Sequence, residues 1–365
     1  MLMFQTEFQD AYFLAELPEI RVVNSTEKVN VTITASEVRV GSPQAQILNT
    51  SYFAYQNTVT IRDIKDIVGT YMYDGEAIIN LHIEISNGTD PNISKSFMVI
   101  YCQQRIGGSS AEVFLARHFL TTNIARFLVQ SAKEKLWFYM TPTIAHNAYT
   151  LTATYSATVE YPDGTTDILI ADVSWRSTGG LTNIEVSAAK VLGYFDLPAG
   201  TKLLCVSINF DGRRCTLYIA PYKNIRQFMF LNAFNVYETV ALPMTTTRKM
   251  ETDSSTVVCN DIHYQYDIKH KRTYEQQTCG LLLKQAEWLE QLLTSSDIRY
   301  CTGPVDDPTT LPRILIVDYD YSLGDEPGEL NSIKFEWEFA DARQATLVVG
   351  GSTNIFTAEF SKEFA

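Results

Sequence analysis

Apolar and polar residues alternate along most of this chain. Residues 29–34 (Val-Asn-Val-Thr-Ile-Thr) place every second side chain on one face, the two-residue period of a half-buried strand. The same period recurs at 52–61, 78–85, 97–102 and 136–140, with shorter pieces at 38–40 and 127–129. Ile61, Ile64, Val68 and Met72 recur at three and four instead, which predicts one short helix. Ser86-Asn87-Gly88-Thr89 and Gly107-Gly108-Ser109-Ser110 punctuate these runs as turns.

The middle of the chain has the sharpest pattern. Residues 151–161 and 165–170 flank Pro162-Asp163-Gly164, where proline presets φ and glycine accepts a positive φ, so the stretch is a hairpin. After a strand at 184–191, residues 203–210 and 213–220 flank Asp211-Gly212, a second hairpin signal. Further on, 227–232, 237–242, 257–259 and 263–269 are strand-like. Leu282, Ala286, Leu289 and Leu293 form a helical stripe over 281–293, widened by Trp288 and Leu292, with Gly280 before it and Thr278 as a candidate cap. Strands are expected again at 298–301, 314–321 and 333–339, and last at 346–349 and 356–360.

The expected fold is mainly β, with two or three β-sandwich-like domains. They are an N-terminal β domain with a short helix (1–141), a central sandwich-like region (142–222) and a C-terminal β domain with a flanking amphipathic helix (223–365). Only short loops mark these boundaries, and no internal repeat of 20 to 50 residues is evident. An apolar share of 45% supplies real cores, and the aromatic share of 12% suits pleated surfaces.

Charge narrows the function. A net charge of −13 argues against phosphate-rich partners, so neither nucleic-acid nor membrane binding is expected. The start, Met-Leu-Met-Phe-Gln-Thr-Glu-Phe, lacks the pattern of a signal peptide, and no apolar run reaches the ~20 residues of a membrane span. A soluble protein made in a cytoplasm is the expectation.

Candidate chemistry is thin. Cys102, Cys205, Cys215, Cys259, Cys279 and Cys301 are scattered and read as free thiols; across the Asp211-Gly212 turn Cys205 would face Tyr218, not Cys215. His82, His118, His146, His263 and His270 form no metal-ligand pattern. Asp306, Asp307, Asp318, Asp320, Asp325 and Glu326 could offer oxygen to Ca²⁺, or carboxylates for glycoside hydrolysis, but they suit a solvated face better. Trp137, Trp175, Trp288 and Trp337 could form a sugar platform, though each fits a core position. Lys269-His270-Lys271-Arg272 is too short for a nucleic-acid patch, and Gly107-Gly108, Gly179-Gly180 and Gly350-Gly351 lack the lysine of a phosphate loop. No catalytic, cofactor-binding or metal-binding residue is assigned, and the chain is not expected to be an enzyme.

One resemblance adds to this. Residues 228–238 (Phe-Met-Phe-Leu-Asn-Ala-Phe-Asn-Val-Tyr-Glu), Thr245-Thr246-Thr247-Arg248, the helix segment 288–295 and the late strand 335–340 (Phe-Glu-Trp-Glu-Phe-Ala) resemble tail proteins of tailed bacteriophages that infect gut anaerobes. Tyr52-Phe53-Ala54-Tyr55 and Ile61-Arg62-Asp63-Ile64 have a similar character. The resemblance covers about 120 residues and carries no binding residue. It implies a virion structural protein, a tail, baseplate or tail-adaptor component assembled in the host cytoplasm. It would form a homo-oligomeric ring, often six-fold, and hold other tail proteins. Two rivals are a carbohydrate-binding or adhesin module on a cell surface and a glycoside- or cell-wall-degrading enzyme.

Overall fold

The computed structural model describes residues 1–23, 27–73, 75–104, 106–144, 147–221, 225–259, 262–301, 307–321, 323–324 and 329–340. The chain is mainly β, in three units.

The first unit is a sandwich. Its strands are β1 (Met3–Phe4), β2 (Ala11–Phe13), β3 (Ile20–Val23), β4 (Lys28–Glu37), β5 (Ala45–Phe53) and β6 (Thr58–Ile61), then helix α1 (Ile64–Met72), β7 (Ile78–Ser86) and β8 (Ile93–Ile100). One sheet has the order β1-β3-β6 and the other β2-β8-β7-β4-β5. The alternation in β4 does what its period implies: Val29, Val31 and Ile33 are fully buried and meet Ile79, Leu81 and Ile83 of β7. Helix α1 buries Ile64, Val68 and Met72 in the same core. The run expected at 52–61 is two strands, because Gln56 and Asn57 adopt positive φ and turn the chain from one sheet to the other.

The second unit follows helix α2 (Ala111–Arg117), which the alternation did not reveal. Its strands are β9 (Ala125–Leu128), β10 (Lys133–Met140), β11 (Tyr149–Glu160), β12 (Thr166–Ser177) and β13 (Gly180–Ser187), then helix α3 (Ala188–Leu192), β14 (Lys202–Phe210) and β15 (Arg213–Ile219). A five-stranded sheet of order β12-β11-β14-β15-β9 faces the pair β10-β13. Leu136, Phe138, Ile184 and Val186 from the pair pack on Ala153, Ala157, Val206 and Leu217 from the sheet. Both expected hairpins are present, with Asp211 and Gly212 at φ 48° and 80° and Cys205 opposite Tyr218.

A domain boundary near 141 is corrected here. Strand β10 pairs with β13 from Lys133↔Ser187 to Met140↔Gly180, and β9 pairs in parallel with β15. Both strands therefore belong to the second unit, which begins near Phe119. The loop after Met140 is a corner within one sandwich, and local alternation carries no information on such distant pairing. Gly179 lets the chain pass this corner: it has φ +76°, and a Cβ there would lie 2.3 Å from the Thr141 carbonyl oxygen, while a Cβ at Gly180, also at φ +76°, would lie 2.5 Å from the Val38 carbonyl oxygen of the first unit.

The third unit comprises β16 (Ile225–Leu231), β17 (Tyr237–Cys259), β18 (Ile262–Thr278), helix α4 (Leu283–Leu293), β19 (Ile298–Tyr300), β20 (Arg313–Asp320) and β21 (Lys334–Phe339). The strands close on themselves in the order β16-β17-β18-β21-β20-β19. Phe228, Val240, Leu242, Ile314, Phe335 and Trp337 fill the centre, and α4 adds Ala286, Trp288, Leu289 and Leu292. The helix starts at Leu283, not 281, and Thr278 does not cap it: its hydroxyl accepts from the Ile333 amide (2.9 Å), while Gln285 Oε1 accepts from the Leu282 amide (3.1 Å). The strands expected at 346–349 and 356–360 lie outside the described residues.

Candidate functional site

The residues singled out for chemistry are dispersed. His82 Nδ1 lies 2.8 Å from Ser96 Oγ across β7 and β8, and His118 stacks on Phe114 (ring centroids 5.0 Å, 12°). His146, Asp306, Asp325 and Glu326 lie outside the described residues, as do the side chains of His263 and His270. Asp307 caps a short turn by accepting from the Thr309 amide (2.9 Å) and hydroxyl (2.7 Å), which hold its carboxyl below the usual range. Asp318 and Asp320 are exposed on β20, paired opposite Glu336 and Lys334. All four tryptophans face inward: Trp337 stacks on Tyr274 (4.3 Å), Trp175 packs by Phe210 (5.5 Å), Trp288 is buried and Trp137 lies between units. Among the described residues, no three His, Cys, Asp or Glu side chains are grouped to hold a metal, and no helix is long and apolar enough to cross a membrane. Cys102, Cys205, Cys215, Cys279 and Cys301 are free; burial pushes the Cys215 thiol up to about 12, so it is not a nucleophile near neutral pH.

What the fold does bring together is the turn between β16 and β17. Asn232-Ala233-Phe234-Asn235-Val236 leaves the barrel and wedges among all three units. Its shape comes from Asn235 at φ 59° and from Asn232 Oδ1, which accepts from the Phe234 amide (2.9 Å). Phe234 is fully buried and stacks on Phe114 of α2 (5.0 Å, 23°), in a cluster with Phe13, Ile78 and Ile100 of the first unit. Asn235 Nδ2 donates to the Met72 carbonyl at the end of α1 (2.7 Å), which also accepts from the Gly75 (3.2 Å) and Glu76 (3.1 Å) amides. Asn232 Nδ2 donates to the Leu120 carbonyl (2.8 Å), and the Ala233 amide to Gln291 Oε1 of α4 (3.0 Å).

Beneath the turn is a sealed ion network. Arg126 of β9 donates to Glu134 Oε1 of β10 (2.6 Å) and to Glu238 Oε1 of β17. Thr121 Oγ1 (2.6 Å) and Asn232 Nδ2 (2.8 Å) also donate to Glu238. The three charged side chains are 2–3% exposed. One guanidinium faces two carboxyl groups. Burial raises the Glu134 carboxyl above its ordinary range, with Arg126 opposing and Glu238 assisting. A cleft of about 470 Å³ opens beside the turn, lined in part by Trp137, Tyr237, Asp297 and Arg313. Asp297 is already paired there with Arg299 (2.8 Å) and accepts from Tyr237, whose phenol burial and Asp297 push up to about 12.

The same strand that starts in this buried junction ends far from it. Strand β21 pairs with β18 only at Tyr274 to Gln277. From Lys249↔Thr273 outward to Cys259↔Ile262, β17 and β18 pair with each other and, among the described residues, with no third strand. At ~3.3 Å per residue this arm reaches roughly 35 Å. Its base is tied to the barrel: Lys249 Nζ meets Glu275 (2.7 Å) and Glu336, and Lys271 Nζ meets Glu338 (3.3 Å). Farther out, Met250 and Ile262 are exposed. A second border, unpaired among the described residues, runs along β12, outermost in its sheet, with Ile168 and Ile170 exposed.

Comparison with known proteins adds little. No family profile matches the chain, and no curated protein matches it. Among solved structures it is similar to the crystal structure of calcium binding domain CBD12 of CALX1.1, at 11% identity, over 57% of this chain and 78% of that one, with a TM-score of 0.15.

Proposed function

We propose that this chain is a non-enzymatic structural component of a bacteriophage tail or baseplate, which joins copies of itself into a ring and holds neighbouring tail proteins. The observation that carries this is the β17–β18 arm. A two-stranded ribbon has no core of its own and is marginal in water. Among the described residues nothing pairs with its outer edges, so it offers N–H and C=O groups as a template for another strand. A rigid base with an uncovered ribbon is the arrangement a subunit needs if the ribbon is to be covered by its neighbour.

Two further features support the reading. The segment 228–238, which resembles phage tail proteins, contains the turn that clasps the three units, so a force on the arm would be passed through β17 into the whole chain. Strand β12 offers a second border for a symmetric or head-to-tail contact. Size-exclusion chromatography with light scattering tests the proposal. A closed oligomer of defined mass is expected from the full chain, and a monomer from a chain in which 250–272 is replaced by Asn-Gly. Unaltered mass in that variant would remove the arm from the assembly.

A further inference from the structure

The structure assigns a second surface to ligand binding: we propose that the corner between β5 and β6 is a carbohydrate site for a neutral pyranose unit. An open cleft of about 610 Å³ lies there, within the size range of small-ligand sites, lined by Tyr52, Phe53, Tyr55, Gln56, Arg62 and Asp63 among others. Phe53 and Tyr55 are 70% and 77% exposed. A pyranose ring has an apolar C–H face and a rim of hydroxyls. It therefore needs aromatic faces beside planar polar groups, and this cleft holds both.

Two details set the cleft apart from an incidental hollow. The turn that presents Tyr55 is closed by reciprocal bonds, Tyr55 N to Thr58 O (2.9 Å) and Thr58 N to Tyr55 O (3.0 Å), with Gln56 and Asn57 both at positive φ. Such turns favour Asn-Gly; a Gln-Asn pair holds strain that a mere connection would not require. Asp63 stands at the N-cap of α1, where its carboxylate would ordinarily accept from the helix amides, yet it makes no such bond. It accepts instead from Tyr52 Oη (3.1 Å), which fixes both groups at the cleft wall. A stacked nucleotide would need phosphate partners, and a chain of net charge −13 that lines this cleft with the cation of Arg62 and the anion of Asp63 does not favour one.

The test uses the full chain, fluorescently labelled, on an array of defined neutral and acidic oligosaccharides, beside Tyr55→Ala, Phe53→Ala and Asp63→Asn. Tyr55 and Phe53 are solvent-facing, so their variants keep the parent melting temperature. The expected result is binding to one class of neutral glycan, reduced at least ~10-fold by Tyr55→Ala and by Asp63→Asn, as loss of a stacking ring or a hydroxyl acceptor requires. Absence of binding to every glycan on the array overturns the assignment, as does binding that survives all three substitutions. A change in oligomer mass on Tyr55→Ala without glycan binding also overturns it, and marks the corner as a contact between copies.

Discussion

The two ends of β17 obey different rules. At its start, Glu238 and Val240 are buried, and the turn before it is held by Phe234, Asn232 and Asn235 against the first two units. At its end the strand has one neighbour among the described residues, β18. The first end is specified by contacts within the chain. Among the described residues nothing pairs with the outer edges of the second, and natural sheets protect such edges by charge, bulges or a covering segment. Stability and assembly should therefore separate along one strand, and substitutions at its two ends should show it.

The largest effect is expected at the buried ion network. Arg126→Met removes the cation between Glu134 and Glu238 and leaves two carboxylates facing each other without water. A loss of ~3–5 kcal/mol is expected, read as a fall in the urea midpoint. Phe234→Ala should follow at ~3–4 kcal/mol, the range for emptying a fully buried aromatic position. It should also speed amide exchange in both α1 and α2, because the ring and its turn hold both.

A pH series sharpens the same end. Glu134 binds its proton more tightly folded than unfolded, because burial raises its folded pKa. Stability from this group is therefore highest at low pH and falls as pH rises from the unfolded value towards the raised folded one. Each tenfold gain in proton affinity on folding is worth about 1.4 kcal/mol. Glu134→Gln should flatten the decline that the parent shows as pH rises above about 4.5, the ordinary glutamate value. An unchanged pH profile would show that burial does not raise the Glu134 carboxyl.

The smallest effect on stability is expected at the other end. Joining Lys249 to Thr273 by an Asn-Gly turn in place of the arm should move the urea midpoint by less than the equivalent of ~0.5 kcal/mol, as for surface changes that leave the core alone. A large loss would mean that the arm is part of the fold of one chain.

Sequence and structure agree where one face of a strand is buried. Strands β4, β7, β11 and the hairpin β14–β15 were legible because alternation reports a half-buried sheet and Asp211-Gly212 reports its turn. The arm was only half legible. Residues 237–242 and 257–259 have apolar signals, but Thr245-Thr246-Thr247-Arg248-Lys249 is polar on both faces, so one strand of β17 looked like two. Pairing between distant strands left no local trace, which is why β9 and β10 seemed to belong to the first unit. Helix α2 is short, and its Phe114 and Leu115 meet two units instead of one stripe. Of the candidate chemistry, the tryptophans were core residues as their spacing allowed. The aromatic corner was missed because Tyr52, Phe53 and Tyr55 sat inside an apparent strand, and the turn at Gln56-Asn57 lacks the usual glycine.

Hydrogen exchange across association tests the central claim most directly. Amide exchange of 249–273 would be followed in dilute monomer and in the concentrated oligomer, with the β16–β17 turn as internal reference. The account predicts rapid exchange at the unpaired arm positions in the monomer and strong protection of those same amides in the oligomer, with the turn protected in both. Equal exchange of the arm in both states, with new protection appearing elsewhere, would contradict it.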